Sequence, residues 1–539
     1  MIKMKKITAT ICAIALLAGI ASGCGKKETQ VSDTGDKTLT FWGIMDGNAA
    51  SAGVKRYSDM LMFKELEKRT GIKVEFQHPI QGSTGNEAFA TMIATSKRPD
   101  IMEYSWQSYT GGAKQAIEDG VVLALNDYIE QYAPNYYDYM EGEKGKEKNY
   151  AYKLESTTED GLYYGFNRLN IGNSRCYSGL YIRNDKLKEW NMEIPETIDD
   201  WTKVFKKAKE EGFKKPFTSA NSYLSFKEPY AAFNAAFEVG SSFYLEDGKV
   251  VFAPFQKGYK DYVAQMAQWV KDGYVDSGFV TNDSTKIEGN IANSISIATY
   301  GWISSIGSLT EAGRKIDPNF ELVACPVPSH KKGESARVLY TDGEATHHAF
   351  GISAQCENYL DAIKWCDYWY SEEGNILRTF GIEGDTFTTE EREDGTHYVY
   401  TDKIMKPETS GVQTVTQALY KYMLPANHPG LVQHPDYLDG YYPHQAQKDA
   451  LVMWNKDIET AKAHYIPEIP FTEDEASEKT DILEVAESEL EVAILNIILG
   501  KASIDTYDDA IKQAKDNDYE RVIEIYQTAY DRYMDKLNK

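Results

Sequence analysis

The stretch "FKELEKRTGIKVEF", Phe63–Phe76, decides how the chain is built. Met60, Leu61, Phe63 and Leu66 recur at helical spacing, and Gly71 supplies a helix stop. Immediately afterwards the period changes to two. Ile72, Val74 and Phe76 alternate with Lys73 and Glu75, the pattern of a half-buried strand. Upstream, "TLTFWG" alternates Leu39 and Phe41 with threonines and reads as a first strand. Downstream, a second helix is expected to about Ser96, and "RPDIMEY" reads as a third strand. Strand, helix, strand, helix, strand argues for an α/β fold with a parallel sheet flanked by helices.

The front of the chain has a different character. Lys3, Lys5 and Lys6 precede an uncharged run from Ile7 to Ile20, and small residues lead into Cys24. A charged start, a short apolar run and a small-residue cleavage site make an export signal over residues 1–23. The run is shorter than the ~20 apolar residues of a spanning helix. Residues 24–37 hold few large apolar side chains and are expected to form a flexible tether, with ends roughly 20 Å apart.

The 539-residue chain carries 58 basic and 82 acidic residues, a formal net charge of -24. So acidic a body is a poor partner for nucleic acid or for an anionic lipid surface. Its length and its 42% hydrophobic content suit two or more domains with real cores. Cys176, Cys325, Cys356 and Cys366 show no metal-type or redox-type spacing; buried thiols are expected, with one bridge allowed and no pairing indicated.

Further along, Thr197 with Asp200 three residues later marks a helix start within "PETIDDWTKVFKKAKEEG". "SISIATYGW" and "HHAFGIS" read as strands, and a helix is expected from Leu360 to Glu373. The rest reads as helical, with aromatic-rich loops between Tyr420 and His444. In those loops His428, His434 and His444 are loosely spaced and two are followed by proline, which suggests a shaped surface loop rather than a metal site. His347 and His348 are adjacent on a strand and so face opposite ways. No metal or cofactor is expected.

The order of these motifs resembles the extracellular solute-binding proteins of family 1, the lipoprotein receptors of sugar importers of the ABC type, and above all their large Gram-positive subgroup. The pieces that carry the resemblance are "FKELEKRTGIKVEF", "ATMIATSKRPDIMEYSW", "IEDGVVLALNDYIEQYAPN", "YIRNDKLKEWNMEIPETIDDWTKVFKKAKEEG", "FGISAQCENYLDAIKWCDYWYSEEGNILRTFGIEGDTF" and "ILGKASIDTYDDAIKQA". "ASGC" is similar to the lipobox, with Ala21 where leucine is usual, and Cys24 is the implied lipidation site. The resemblance implies a two-lobed, periplasmic-binding-protein-like α/β fold of type II. Each lobe would be a sheet flanked by helices, with the ligand cleft between them. Residues 38–165 plus 325–375 would form the first lobe and residues 166–324 plus 376–539 the second. Some large relatives carry a calcium loop after the helix at "ETIDDW"; here "KEEGFKKPFTS" offers few oxygen ligands, and calcium is not expected there.

A sugar site needs flat aromatic faces and planar hydrogen-bonding side chains. Tyrosines outnumber phenylalanines, 38 to 20, and there are nine tryptophans, a supply suited to that role. In such lobes ligands sit beyond the carboxyl ends of the strands. Trp42, Asp46, Tyr104, Trp106, Tyr300 and Trp302 stand at such ends. In maltose-binding relatives, a tryptophan and a tyrosine at the places of Trp302 and Tyr230 contact sugar. Arg183, Asp342, Glu344, Glu383 and Asp385 complete the candidates. The implied function is capture of an oligosaccharide or modified sugar by hinge closure and delivery to permease subunits. The protein would be a non-enzymatic monomer held at the outer face of the cell membrane by its lipid alone. An exported polysaccharide-acting enzyme, or a binder of peptides or other polar solutes, remains the alternative. Glu383 with Asp385 is the nearest carboxylate pair for the first, and neither GxSxG nor HExxH occurs.

Overall fold

The structure, a computed structural model, describes residues 38–79, 84–228, 232–337 and 340–538. Cys24, the export signal, the tether and Tyr230 lie outside the described residues.

The opening stretch folds as its periods demand. Helix Leu61–Thr70 buries Met62, Phe63 and Leu66 on one side, and Gly71 closes it in the left-handed conformation at φ 69°. Strand Lys73–Gln77 then runs parallel to strand Thr38–Trp42, which is also parallel to Ile101–Ser105. Strand Ala345–Ile352 adds antiparallel to Ile101–Ser105 and to Phe166–Asn170. Gly430–Val432 closes the six-stranded sheet, parallel to Phe166–Asn170.

A second sheet has four strands. Leu322–Ala324 and Ala298–Trp302 flank Ser178–Arg183, both antiparallel, and Phe217–Thr218 lies parallel to Ala298–Trp302 at the edge. Helix Ile198–Glu210 covers it with Trp201, Val204, Phe205 and Ala208, and begins at Thr197, whose hydroxyl accepts the Asp200 N–H at 3.2 Å. The same core takes in Leu490, Ile494 and Ile497 of the long helix Glu473–Ile498.

The structure departs from the sequence expectations at three places. Residues 166–170 and 430–432, placed in the second lobe, are strands of the first sheet. Phe380, Tyr400, Ile404 and Leu419 share a core with Leu39 and Phe41, and that core reaches Tyr181 and Leu322 of the second sheet. The helix expected over Leu360–Glu373 is two, Tyr359–Tyr368 and Glu372–Thr379, divided where the Ser371 side chain caps the second. A hairpin, Phe387–Arg392 with Gly395–Tyr400, also stands where helix was expected.

Arg175 knots the segments that pass between the sheets. Its guanidinium, almost wholly buried, donates to the carbonyls of Asn170, Gly172 and Gly343 and to Glu344 at 2.6 Å. Nearby, Glu155 accepts the backbone N–H of Ala345 at 2.9 Å and meets the hydroxyl of Tyr533 at 3.4 Å. Burial, helped by the charges of Glu344 and Glu468, pushes its carboxyl up to about 8. Cys176, Cys325, Cys356 and Cys366 are buried free thiols. Among the described residues no helix is long and apolar enough to cross a membrane.

Candidate ligand cleft

A cleft of about 1380 Å³ opens beyond the carboxyl end of strand Ile101–Ser105. One wall comes from residues 86–119 and the facing wall from residues 465–481 with Phe243 and Tyr526. That is where the fold rule for parallel strands puts a ligand.

Tyr104 forms part of the first wall. Its ring stacks on Phe89 with centroids 3.6 Å apart, and its hydroxyl donates to the Asn86 side chain at 2.9 Å. The chain turns sharply into helix Gly112–Glu118 through Gly111 at φ 79°, where an added Cβ would stand 2.7 Å from the Gln115 side chain. The facing wall is aromatic as well. Tyr526 stacks on Phe243 at 4.5 Å and meets Phe471 edge-on at 5.1 Å. The Lys479 ammonium lies 4.2 Å from the Phe471 ring centre and 5.4 Å from that of Tyr526.

A polar chain runs from the sheet interior to this wall. Asn167 donates to the Tyr164 hydroxyl at 2.8 Å, which leaves that hydroxyl's proton for Nδ1 of His347 at 3.0 Å. His347 Nε2 then reaches Glu468 at 3.1 Å. Burial lowers the His347 pKa more than the Glu468 charge raises it, so the ring is neutral near pH 7. A neutral ring accepting at Nδ1 carries its proton on Nε2, and that proton is donated to Glu468. Burial also lowers the Lys479 pKa, with the Glu468 charge opposing.

The sequence candidates are distributed unevenly around this geometry. Tyr104 lines the cleft. Trp302, at the carboxyl end of its strand, is 38% exposed, and Tyr300 beside it is buried with its hydroxyl 3.1 Å from Ser178. Trp42 and Trp106 are core residues: Trp42 packs on Phe89 at 5.7 Å, and the Trp106 indole donates to the Ala349 carbonyl at 3.2 Å. Asp46 caps helix Gly47–Ser51, accepting the N–H groups of Asn48 and Ala49. Arg183 is fully buried, held by Asp185 at 2.6 Å and Asp317 at 3.2 Å over the Phe320 ring. Asp342 accepts from the Tyr340 hydroxyl, and Glu344 belongs to the Arg175 knot. Asp385 pairs with Lys403 at 2.7 Å, and Glu383 meets Thr389 at 3.5 Å. These pairings account for the acidic and basic candidates within the fold.

His428 corrects the surface-loop reading. It is buried, with Nδ1 2.6 Å from Glu103, and His348 reaches the same oxygen at 2.8 Å. His434 caps helix Pro435–Tyr441 through its ring, and His444 pairs with Glu311 at 3.1 Å. Among the described residues no group of three His, Cys, Asp or Glu side chains could hold a metal ion.

Sequence reasoning missed Asn86, His347, Glu468, Phe471 and Lys479 as cleft residues. One signal existed: "YIPEIPF", Tyr465–Phe471, with Pro467 and Pro470 bracketing Glu468, is too rigid and too aromatic for an idle connection.

Two α/β sheets carrying a polar-aromatic cleft define a two-lobed binding protein. The chain belongs to the bacterial extracellular solute-binding proteins, whose family model matches residues 51–376. Members of that family are non-catalytic. It is 27% identical over 411 residues to FusA of Streptococcus pneumoniae, a fructooligosaccharide ABC transporter substrate-binding protein, covering 71% of this chain and 72% of FusA. It is 23% identical over 385 residues to the lipoprotein LipO of Bacillus subtilis, covering 70% and 72%. In structure it is similar to the alginate-binding protein AlgQ2, with a TM-score of 0.72 and 20% identity over 92% of this chain and 98% of that one; this likeness concerns the fold.

Proposed function

We propose that this protein captures an oligosaccharide and hands it to the permease of an ABC importer, closing its lobes over the ligand. The observation that carries the reading is the cleft: about 1380 Å³, walled by Tyr104, Phe471 and Tyr526, with Asn86, Glu468 and Lys479 as polar edges. Aromatic faces suit the CH-rich sides of sugar rings, and planar polar groups suit their hydroxyls. The volume exceeds the roughly 300–1,000 Å³ of pockets for drug-sized ligands, which favours several linked rings over one. Similarity to FusA supports the same class of ligand and the same kind of transporter. Trp302, exposed at a strand end, is proposed as a second stacking surface.

Cys24 is proposed as the lipid-bearing residue that holds the monomer at the outer membrane face, supported by the "ASGC" pattern and by similarity to LipO. Two acyl chains on one cysteine meet the anchoring requirement that a single chain does not.

A thermal-shift screen of fructo-oligosaccharides, galacto-oligosaccharides and peptides tests the ligand class. Stabilisation by at least one oligosaccharide series is expected, with affinity in the micromolar range, about -8 kcal/mol. Stabilisation by peptides alone would overturn it. Incorporation of labelled palmitate, abolished by Cys24→Ala, tests the anchor.

A further inference from the structure

Two charged side chains of the cleft have unused hydrogen-bonding capacity directed at its space. Glu468 is held through Oε2 by His347, and its Oε1 has no partner among the described residues. Its side chain is 40% exposed, so it is positioned yet open. Lys479 rests its ammonium on Phe471 and Tyr526 but makes no hydrogen bond or ion pair among the described residues. The Glu468 charge acts on Lys479, and no ion pair joins the two among the described residues. An acceptor and a triple donor thus line the same aromatic-walled cleft, one fixed by a relay that begins at Asn167.

We infer that Glu468 and Lys479 form a subsite that reads a vicinal diol of an uncharged sugar. Glu468 accepts the proton of one hydroxyl, and Lys479 donates to the oxygen of its neighbour. This rests on the oligosaccharide reading above and names the chemistry of its ligand. The two charges cancel, so a neutral diol satisfies both, whereas a sugar carboxylate would leave Glu468 facing like charge. The rest of the cleft wall reinforces that choice, because Asp119, Glu473 and Asp481 also line it. The structural likeness to an alginate-binding protein therefore does not extend to its polyanionic ligand.

Isothermal titration decides the matter. The wild type, Glu468→Gln and Lys479→Met are titrated with the neutral oligosaccharide giving the largest thermal shift. The same proteins are titrated with its monodeoxy analogues and with an oligouronate of equal length. Each variant should lose at least tenfold in affinity for the parent sugar. For each variant, one deoxy analogue should lose tenfold against the wild type, yet bind that variant about as well as the parent does, and the two analogues should lack neighbouring hydroxyls. A purely structural role would not produce that convergence. The oligouronate should bind the wild type at least tenfold more weakly than the neutral sugar. Wild-type affinity in both variants, a deoxy penalty unchanged by the variants, or tighter binding of the oligouronate overturns the inference and leaves the transport reading standing. Absence of binding to every glycan by the wild type overturns both. If a variant fails to fold, the deoxy series on the wild type and on Lys479→Arg, which keeps the donors, still decides. Loss at no hydroxyl position rejects the subsite.

Discussion

Glu103 and His428 stand 325 positions apart in the chain and 2.6 Å apart in the interior. Their contact fastens strand Ile101–Ser105 to the segment that leads into Gly430–Val432, and His348 joins it from the neighbouring strand. Burial alone would raise the Glu103 pKa, but the two imidazoles outweigh it and hold the carboxyl at about 2. Burial likewise pulls His428 down, and Glu103 with Asp46 outweighs that and raises it.

These opposite shifts set a pH window. The lowered carboxyl stabilises the fold fully above its unfolded value near 4.5, and this is lost as pH falls toward 2. The raised imidazole stabilises fully below its unfolded value near 6.5, and this is lost as pH climbs through its folded value. Urea unfolding should therefore show the pair contributing most between about pH 4.5 and 6.5. His428→Gln should flatten the decline above 6.5. Glu103→Gln should cost about 3 kcal/mol by leaving buried imidazoles without their counter-charge.

Glu155 predicts the reverse of the usual carboxylate behaviour. Its folded pKa of about 8 lies above the unfolded 4.5, so its contribution is complete below 4.5 and is lost as pH rises through 8. Glu155→Gln keeps an oxygen for the Ala345 N–H and removes the titration. It should raise stability at pH 8 by about 3 kcal/mol and change little at pH 4.5, measured by urea unfolding at both values.

Arg175 should be irreplaceable by lysine. One ammonium cannot span three carbonyls and a carboxylate that the planar guanidinium reaches together. Arg175→Lys should cost about 2 kcal/mol and Arg175→Ala about 4 kcal/mol, since Glu344 and the carbonyls lose a buried partner.

Trp302 is 38% exposed and partly packed, so Trp302→Ala should cost about 1 kcal/mol of apo stability. If it stacks on sugar, ligand affinity should fall at least tenfold, about 1.4 kcal/mol. Titration of the variant against the best oligosaccharide separates the two effects. A large apo loss would place the indole in the core instead.

The first sheet was legible because its early strands and helices follow one another with clean changes of period, as at Gly71. Strand Gly430–Val432 was not, since three residues between Pro429 and Gln433 are too few to show alternation. The hairpin at Phe387–Tyr400 did carry its signal, Asp394-Gly395 between strand formers, but lay inside a region read as helical. Among site candidates, position at a strand end put Tyr104 on the cleft wall but could not separate it from Trp106, which is buried in the core. Arg183 and Asp385 were ambiguous because a charged residue near a crossing serves an internal pair as readily as a ligand. Glu468 and Lys479 come from the far end of the chain, and only the fold brings them to the cleft formed by residues 86–119.

The six-stranded sheet takes its strands from residue 38 through residue 432. No amino-terminal fragment can therefore complete it during synthesis, and its last edge waits for a strand made late. Pairings this distant along the chain are slow to form. Until residue 432 has been made, the outer edge of strand Phe166–Asn170 in this sheet stays unpaired.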